Sequence, residues 1–206
     1  MTRLYIPRAN QTDQTWAREL VGRVGLGQLV TVADDGTPDC TVLPLVWTGD
    51  RVLMHLARAN EHWRRIAEGS SGLITVLGPH GYISPTWYPT KAEHGRVVPT
   101  WNYSTVQLRG PVTVHRDEAW LRKAVTLVTD LHEGGRADRW QVSDAPEDYI
   151  TKSLRVIVGV EMQVETVEAK AKASQNRTAP DRDGIIARLT ADGVDPTGLV
   201  EAPRQD

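Results

Sequence analysis

The sequence predicts an α+β protein built on a small barrel of about seven strands with helices at its margins. Three observations lead there. Short apolar runs rich in Val, Leu and Thr follow one another between residues 28 and 78, broken by Asp-Gly and Gly-Asp pairs, as in antiparallel strands joined by tight turns. Two segments instead space their apolar residues three and four apart, as amphipathic helices do. No stretch approaches the length of a membrane span, and the single cysteine, Cys40, excludes an internal disulfide framework.

The first element is "TDQTWARELVGRVG", residues 12–25. Trp16, Leu20, Val21 and Val24 share one helical face, with Thr12 as the expected N-cap and Gly25 as the stop. "QLVTVA", "CTVLPLVW" and "RVLMHLA" then read as strands joined by the turns "DDGTPD" and "TGD". A short helix is expected from Asn60 to Glu68, ended by Gly69, followed by the strand "GLITVLG" and the polar-aromatic stretch "PHGYISPTWY".

Residues 89–99 read as an exposed loop, and "TWNYSTVQLRGPVTVHR" as a strand pair or a strand bent at Gly110-Pro111. "DEAWLRKAVTLVTDLHEGG" aligns Trp120, Leu121, Ala124, Val125, Val128 and Leu131, with Asp117 and Glu118 at its start. A last strand, "RVIVGVEMQVETVEAK", precedes a polar loop and a helix over 181–189. The expected organisation is one domain over residues 1–192 with a loose tail over 193–206.

A formal net charge of −2 with interspersed signs lacks the basic footprint of a dedicated nucleic-acid binder. There is no convincing helix-turn-helix and no basic arm or helix, so direct DNA binding is not expected. The N-terminus has no apolar core of signal-peptide length, and a cytoplasmic, membrane-free location is expected.

Three separated motifs carry a family resemblance: "ARAN" at 57–60 followed by Trp63, "GPHGYISPTWYPTKAEHGRVVPTWNYSTVQLRG" at 78–110, and "SQNRTAPDRDGII" at 174–186. Together, from about Tyr5 to Leu189, they resemble the PaiB-type FMN-binding negative transcriptional regulators. The resemblance implies a homodimeric split β-barrel, related to flavin-dependent pyridoxine phosphate oxidases, with a cofactor cleft between subunits. The same family includes the heme-dependent piperazate synthases.

What the resemblance implies for the site starts at "MHLARANEHWRRI", residues 54–66. Arg58, Asn60 and Arg64 have the chemistry to hold an anionic group, a flavin phosphate or heme propionates, beside Trp63. His62 stands where the regulator pattern has glutamine, within Asn-Pro-Gln-Trp. An imidazole there is expected to be the axial ligand of a heme b, with FMN the alternative cofactor. His55, in the strand, is expected to be a buried, hydrogen-bonded group.

Trp87 and Trp101, with Tyr88, Asn102 and Tyr103, suit a cleft for a planar ring. The plainer account is core filling, because the chain has no phenylalanine. By resemblance Gln175, Asn176 and Arg177 return to the cofactor or substrate cleft; the plainer account is a capped, exposed loop. The expected function is heme-dependent joining of two nitrogens of an N-hydroxylated diamino acid with loss of water, on a small amine or amino-acid substrate. The alternative is an FMN-binding regulator or a flavin or ligand sensor. The residues identify no catalytic acid or base.

Overall fold

The computed structural model describes residues 4–201. In chain order the elements are α1 (Gln14–Val24), β1 (Leu26–Val32), β2 (Pro38–Thr48), β3 (Arg51–Ala57), β4 (Ser71–Ile83), α2 (Thr90–His94) and β5 (Thr100–His115). Then come α3 (Glu118–Glu133), α4 (Glu147–Leu154), β6 (Ile157–Gln163), β7 (Thr166–Lys172) and α5 (Ala179–Ala191). They fall into two compact units, a barrel unit of Ala17–Val76 and Gln107–Val167, and a second unit holding the chain up to Trp16, Leu77–Val106 and the chain from Glu168. The single domain expected over 1–192 divides this way within α1 and within strands β4, β5 and β7, so no Pro- or Gly-rich linker marks the boundaries.

Strands pair in the order β4-β1-β2-β3-β6-β5-β7, and a further pairing of β4 with β5 closes the first six into a ring. The barrel unit shows the closure at Val112, whose N–H donates to Ser70 O at 2.9 Å while its carbonyl accepts from Gly69 N at 3.2 Å. This is the α+β split barrel that the motifs implied. Leu45, Met54 and Val160 lie in register across β2, β3 and β6, and all three are fully buried. The alternation of Val52, Met54 and Leu56 with outward residues makes β3 a wall of the core.

Several boundaries differ from the sequence expectation, two of them through contacts distant in the chain. β5 runs unbroken through Gly110-Pro111. Gly110 is there for close approach rather than a bend, since a Cβ would stand 1.7 Å from Gln163 O. The expected last strand instead breaks between β6 and β7, where Val164 N donates to Asp50 O and Glu165 N to Arg109 O. Asp13, not Thr12, caps α1, accepting from Trp16 N at 2.8 Å. The helix expected over 60–68 is a single 3-10 turn, Glu61–Arg65, while α2 lies in the expected loop and α4 in a stretch read without structure.

In the barrel unit α3 buries Leu121, Ala124 and Val128, and Asp117 caps it through Trp120 N as expected. The Trp120 ring covers Gly159, stacks on His115 at 4.1 Å and donates through Nε1 to the buried Glu161, which also pairs with Arg51.

The second unit has its own apolar cluster of Ile83, Tyr88, Ile185, Leu189 and Leu199. Leu199 corrects the expectation of a loose tail. It is 4% exposed, its carbonyl accepts from Asn102 Nδ2, and Glu201 N donates to Ala173 O. Residues 202–206 of that expected tail lie outside the described residues. Among the described residues, no helix is long and apolar enough to cross a membrane.

Candidate functional site

The chain leaves β3 at Ala57 and turns at once, with Asn60 N donating to Ala57 O at 2.9 Å. The Asn60 side chain then starts the 3-10 turn by accepting from His62 N at 3.0 Å. This turns His62 and Trp63 inward and leaves Arg58, Arg64 and Arg65 exposed.

Arg58 is held at both of its peptide groups. Its N–H donates to Val156 O at 2.8 Å, and its carbonyl accepts from the Trp63 indole N–H at 2.9 Å. Its guanidinium has no carboxylate partner among the described residues. The neighbouring arginines do: Arg64 pairs with Glu61 at 3.2 Å, and Arg65 with Asp39 at 2.8 Å and Asp35 at 3.6 Å. Arg116 lies 4.7 Å and Arg64 5.3 Å from the Trp63 ring centroid, so cations collect about one buried indole. A cleft of about 350 Å³ lies alongside, between Ala33–Asp35 and Arg64–Ala67.

The His62 ring is 5% exposed and bonded at both nitrogens, Nε2 to Thr31 Oγ1 at 2.9 Å and Nδ1 to Thr41 Oγ1 at 2.8 Å. Burial pushes its pKa below the ordinary histidine value; the Asp39 charge opposes this and the Arg65 charge reinforces it. A neutral imidazole donates from one nitrogen and accepts at the other, and hydroxyls satisfy either tautomer. The structure therefore places the expected iron ligand as a strut between β1 and β2, with neither nitrogen open in this arrangement.

The remaining expected site residues belong to the second unit. Trp101 is 55% exposed, stacked on His80 at 6.5 Å and edge-on to Tyr82 at 6.3 Å. Trp87 is half-buried against the apolar cluster, which accords with the plainer core-filling account. Arg177 lies 4.7 Å from the centroid of buried Tyr88, and Asn176 is exposed.

Gln175 and the Asn102 amide nitrogen are bonded within the chain, whereas Asn102 Oδ1 is buried without a hydrogen-bond partner. Asn102 is 1% exposed and donates from Nδ2 to Ser174 Oγ and Leu199 O, both at 2.8 Å. Gln175 turns back on its own backbone, accepting from Ala173 N at 2.8 Å and donating to Ala171 O at 2.6 Å. Both hold the turn in which Ser174 takes a positive φ of 61°. Arg116 is the contributor that sequence reasoning missed; its contact with Trp63 crosses strands and leaves no local pattern.

Comparison with known proteins agrees with the motifs. Residues 4–166 match the family described as "Putative FMN-binding domain". Over 194 residues the chain is 29% identical to the protease synthase and sporulation protein PAI 2 of Bacillus subtilis, covering 90% of this chain and 89% of that protein. An uncharacterized protein of Aspergillus fumigatus is 42% identical over 130 residues, 55% of this chain and only 50% of the fungal protein's length. Among solved structures, the FAD and heme binding protein from Mycobacterium smegmatis superposes with a TM-score of 0.62 at 18% identity, covering 88% of this chain and 80% of that one. The flavocytochrome Anf3 from Azotobacter vinelandii gives 0.60 at 18% identity, with coverages of 85% and 74%. At such identities these two likenesses speak to the fold.

Proposed function

The chain belongs to the FMN-binding domain family, and from that premise we propose that it is an FMN-binding split-barrel protein of the regulator or ligand-sensor kind, with Arg58 holding the flavin phosphate. The observation that carries the reading is Arg58 itself, its backbone fixed at N–H and C=O and its guanidinium unpaired. A planar guanidinium fork meets a phosphate with two parallel charged hydrogen bonds. Arg116 and Arg64, over Trp63, add positive charge nearby. The donor set thus fits a phosphate, and bound FMN would supply the redox chemistry of its ring. The likeness to PAI 2 supports the regulator kind. In this reading a second copy completes the cleft, and light scattering on the purified protein should give twice the 22.8 kDa chain mass.

Heme-dependent piperazate-type N–N bond formation is the second reading, favoured by two fold neighbours that are a heme binding protein and a flavocytochrome. It ranks lower because His62 would have to give up Thr31 or Thr41 to reach iron. Absorption spectroscopy and titration of the purified protein with FMN and with hemin separate the two. Saturable FMN binding with paired flavin bands is expected. A Soret band with no FMN uptake would overturn the flavin reading and restore the heme enzyme.

A further inference from the structure

One polar network ties the segment that carries Arg58 to two strands of the barrel. Thr41 Oγ1, on β2, meets His62 Nδ1 at 2.8 Å and accepts from Asn60 Nδ2 at 3.4 Å. Thr31 Oγ1, on β1, meets the other ring nitrogen, His62 Nε2, at 2.9 Å. Thr31 is 1% exposed, so the imidazole cannot turn about its own side-chain bonds without stranding a buried hydroxyl.

From His62 two short routes lead to Arg58. Backwards along the chain, His62 N donates to Asn60 Oδ1 and Asn60 N donates to Ala57 O, which closes the turn from which Arg58 projects. Forwards, Trp63 follows His62 directly, and its indole N–H donates to the Arg58 carbonyl at 2.9 Å. An arginine whose backbone is held in this way presents its fork from a fixed base, and less freedom is lost when an anion binds.

We propose that His62 is a positioning residue for the anion site, setting the place of Arg58 through Asn60 and Trp63 and with it the preference for a phosphorylated over an unphosphorylated flavin. The inference rests on the flavin reading of Arg58. His62 itself touches no ligand, since both ring nitrogens are taken by the threonines. A strut that served the barrel alone would join β1 to β2 and go no further. This one continues through Thr41 and Asn60 into the turn.

The test compares FMN with riboflavin, which lacks the phosphate, by isothermal titration of the full chain. His62→Ala should weaken FMN binding about three- to tenfold and leave riboflavin unchanged. In an Arg58→Ala background the same change should cost FMN nothing more, because the two residues act on one contact. His62→Gln, which keeps one donor and one acceptor at similar reach, should recover most of the loss. Hydrogen exchange gives a second readout: the Arg58 amide, bonded to Val156 O, should exchange faster in His62→Ala while the β3 amides keep their protection. Should His62→Ala not fold, Thr41→Val, which removes the hydroxyl shared by His62 and Asn60, should show the FMN loss, and Thr41→Ser should not. Equal losses of FMN and riboflavin, a full loss in the Arg58→Ala background, or an unchanged Arg58 amide would overturn this inference alone. A wild type that takes up no FMN would overturn the flavin reading, and this inference with it.

Discussion

Asp181 accepts two kinds of hydrogen bond from Thr90, one from the backbone N–H at 3.2 Å and one from the hydroxyl at 2.9 Å, across 91 residues of chain. Both residues are buried, at 2% and 9% exposure, so the carboxylate depends on this partner in place of water. Thr90→Val keeps the shape and removes the hydroxyl. It should cost about 1.5–3 kcal/mol, the usual range for a hydrogen bond to a charged group, read as a lower urea midpoint. Thr90→Ser should restore most of the loss.

Arg58→Ala should weaken FMN binding by about 1–2 kcal/mol, since the guanidinium is exposed and its charged hydrogen bond is part-screened. Arg64 already pairs with Glu61, and Arg64→Ala should change the affinity by less than about 0.5 kcal/mol. Isothermal titration with FMN checks both. Equal effects from the two variants would take the phosphate away from Arg58.

Stability should fall as the solution is acidified below the ordinary histidine value of 6.5, because burial lowers the pKa of His55, His62 and His115 in the fold. Above that pH both folded and unfolded chains leave these rings neutral, and they contribute nothing. As the pH drops through it, the unfolded chain takes up protons that the folded chain refuses. The loss continues until the pH passes below the folded values. Urea midpoints between about pH 7.5 and pH 5 record the slope, and His115→Phe, which keeps a ring on Trp120, should make it shallower.

Gly110→Ala should destabilise the barrel by more than about 2 kcal/mol, because the obstructing atom is a backbone oxygen that cannot swing aside. At Gly36, where the space around a Cβ is open but φ is +82°, the cost of alanine is conformational only and should be smaller. Thermal melts of the two variants give the ranking.

Elements whose pattern is local were legible in the sequence. α1 and α3 show their stripes, and β1 to β3 alternate between recognisable turns. The break between β6 and β7 was not, because no Gly, Pro, Asn or Asp marks it and the bonds that set it come from Asp50 and Arg109. α4 was missed because only Ile150 and Leu154 are buried on it. The site divides along the same line. Arg58 and Arg64 read as outward cations from their own segment, whereas Asn102 reads as polar and is fixed inside by partners 72 and 97 residues away. His62 could be recognised as unusual, but the two threonines that occupy it lie on other strands.

The place of β6 between β3 and β5 has a consequence for synthesis. On the ribosome β1, β2 and β3 can pair in the order they emerge, but the outer edge of β3 has to wait for a strand that begins at Ile157. At typical elongation rates about a hundred residues take roughly 5–20 s. Throughout that interval the nascent chain presents an unpaired strand edge bearing Leu53 and Met54, the kind of edge on which other chains aggregate. Yield in cells should therefore respond to elongation speed and to chaperones that cover strand edges, even for variants whose finished fold is fully stable.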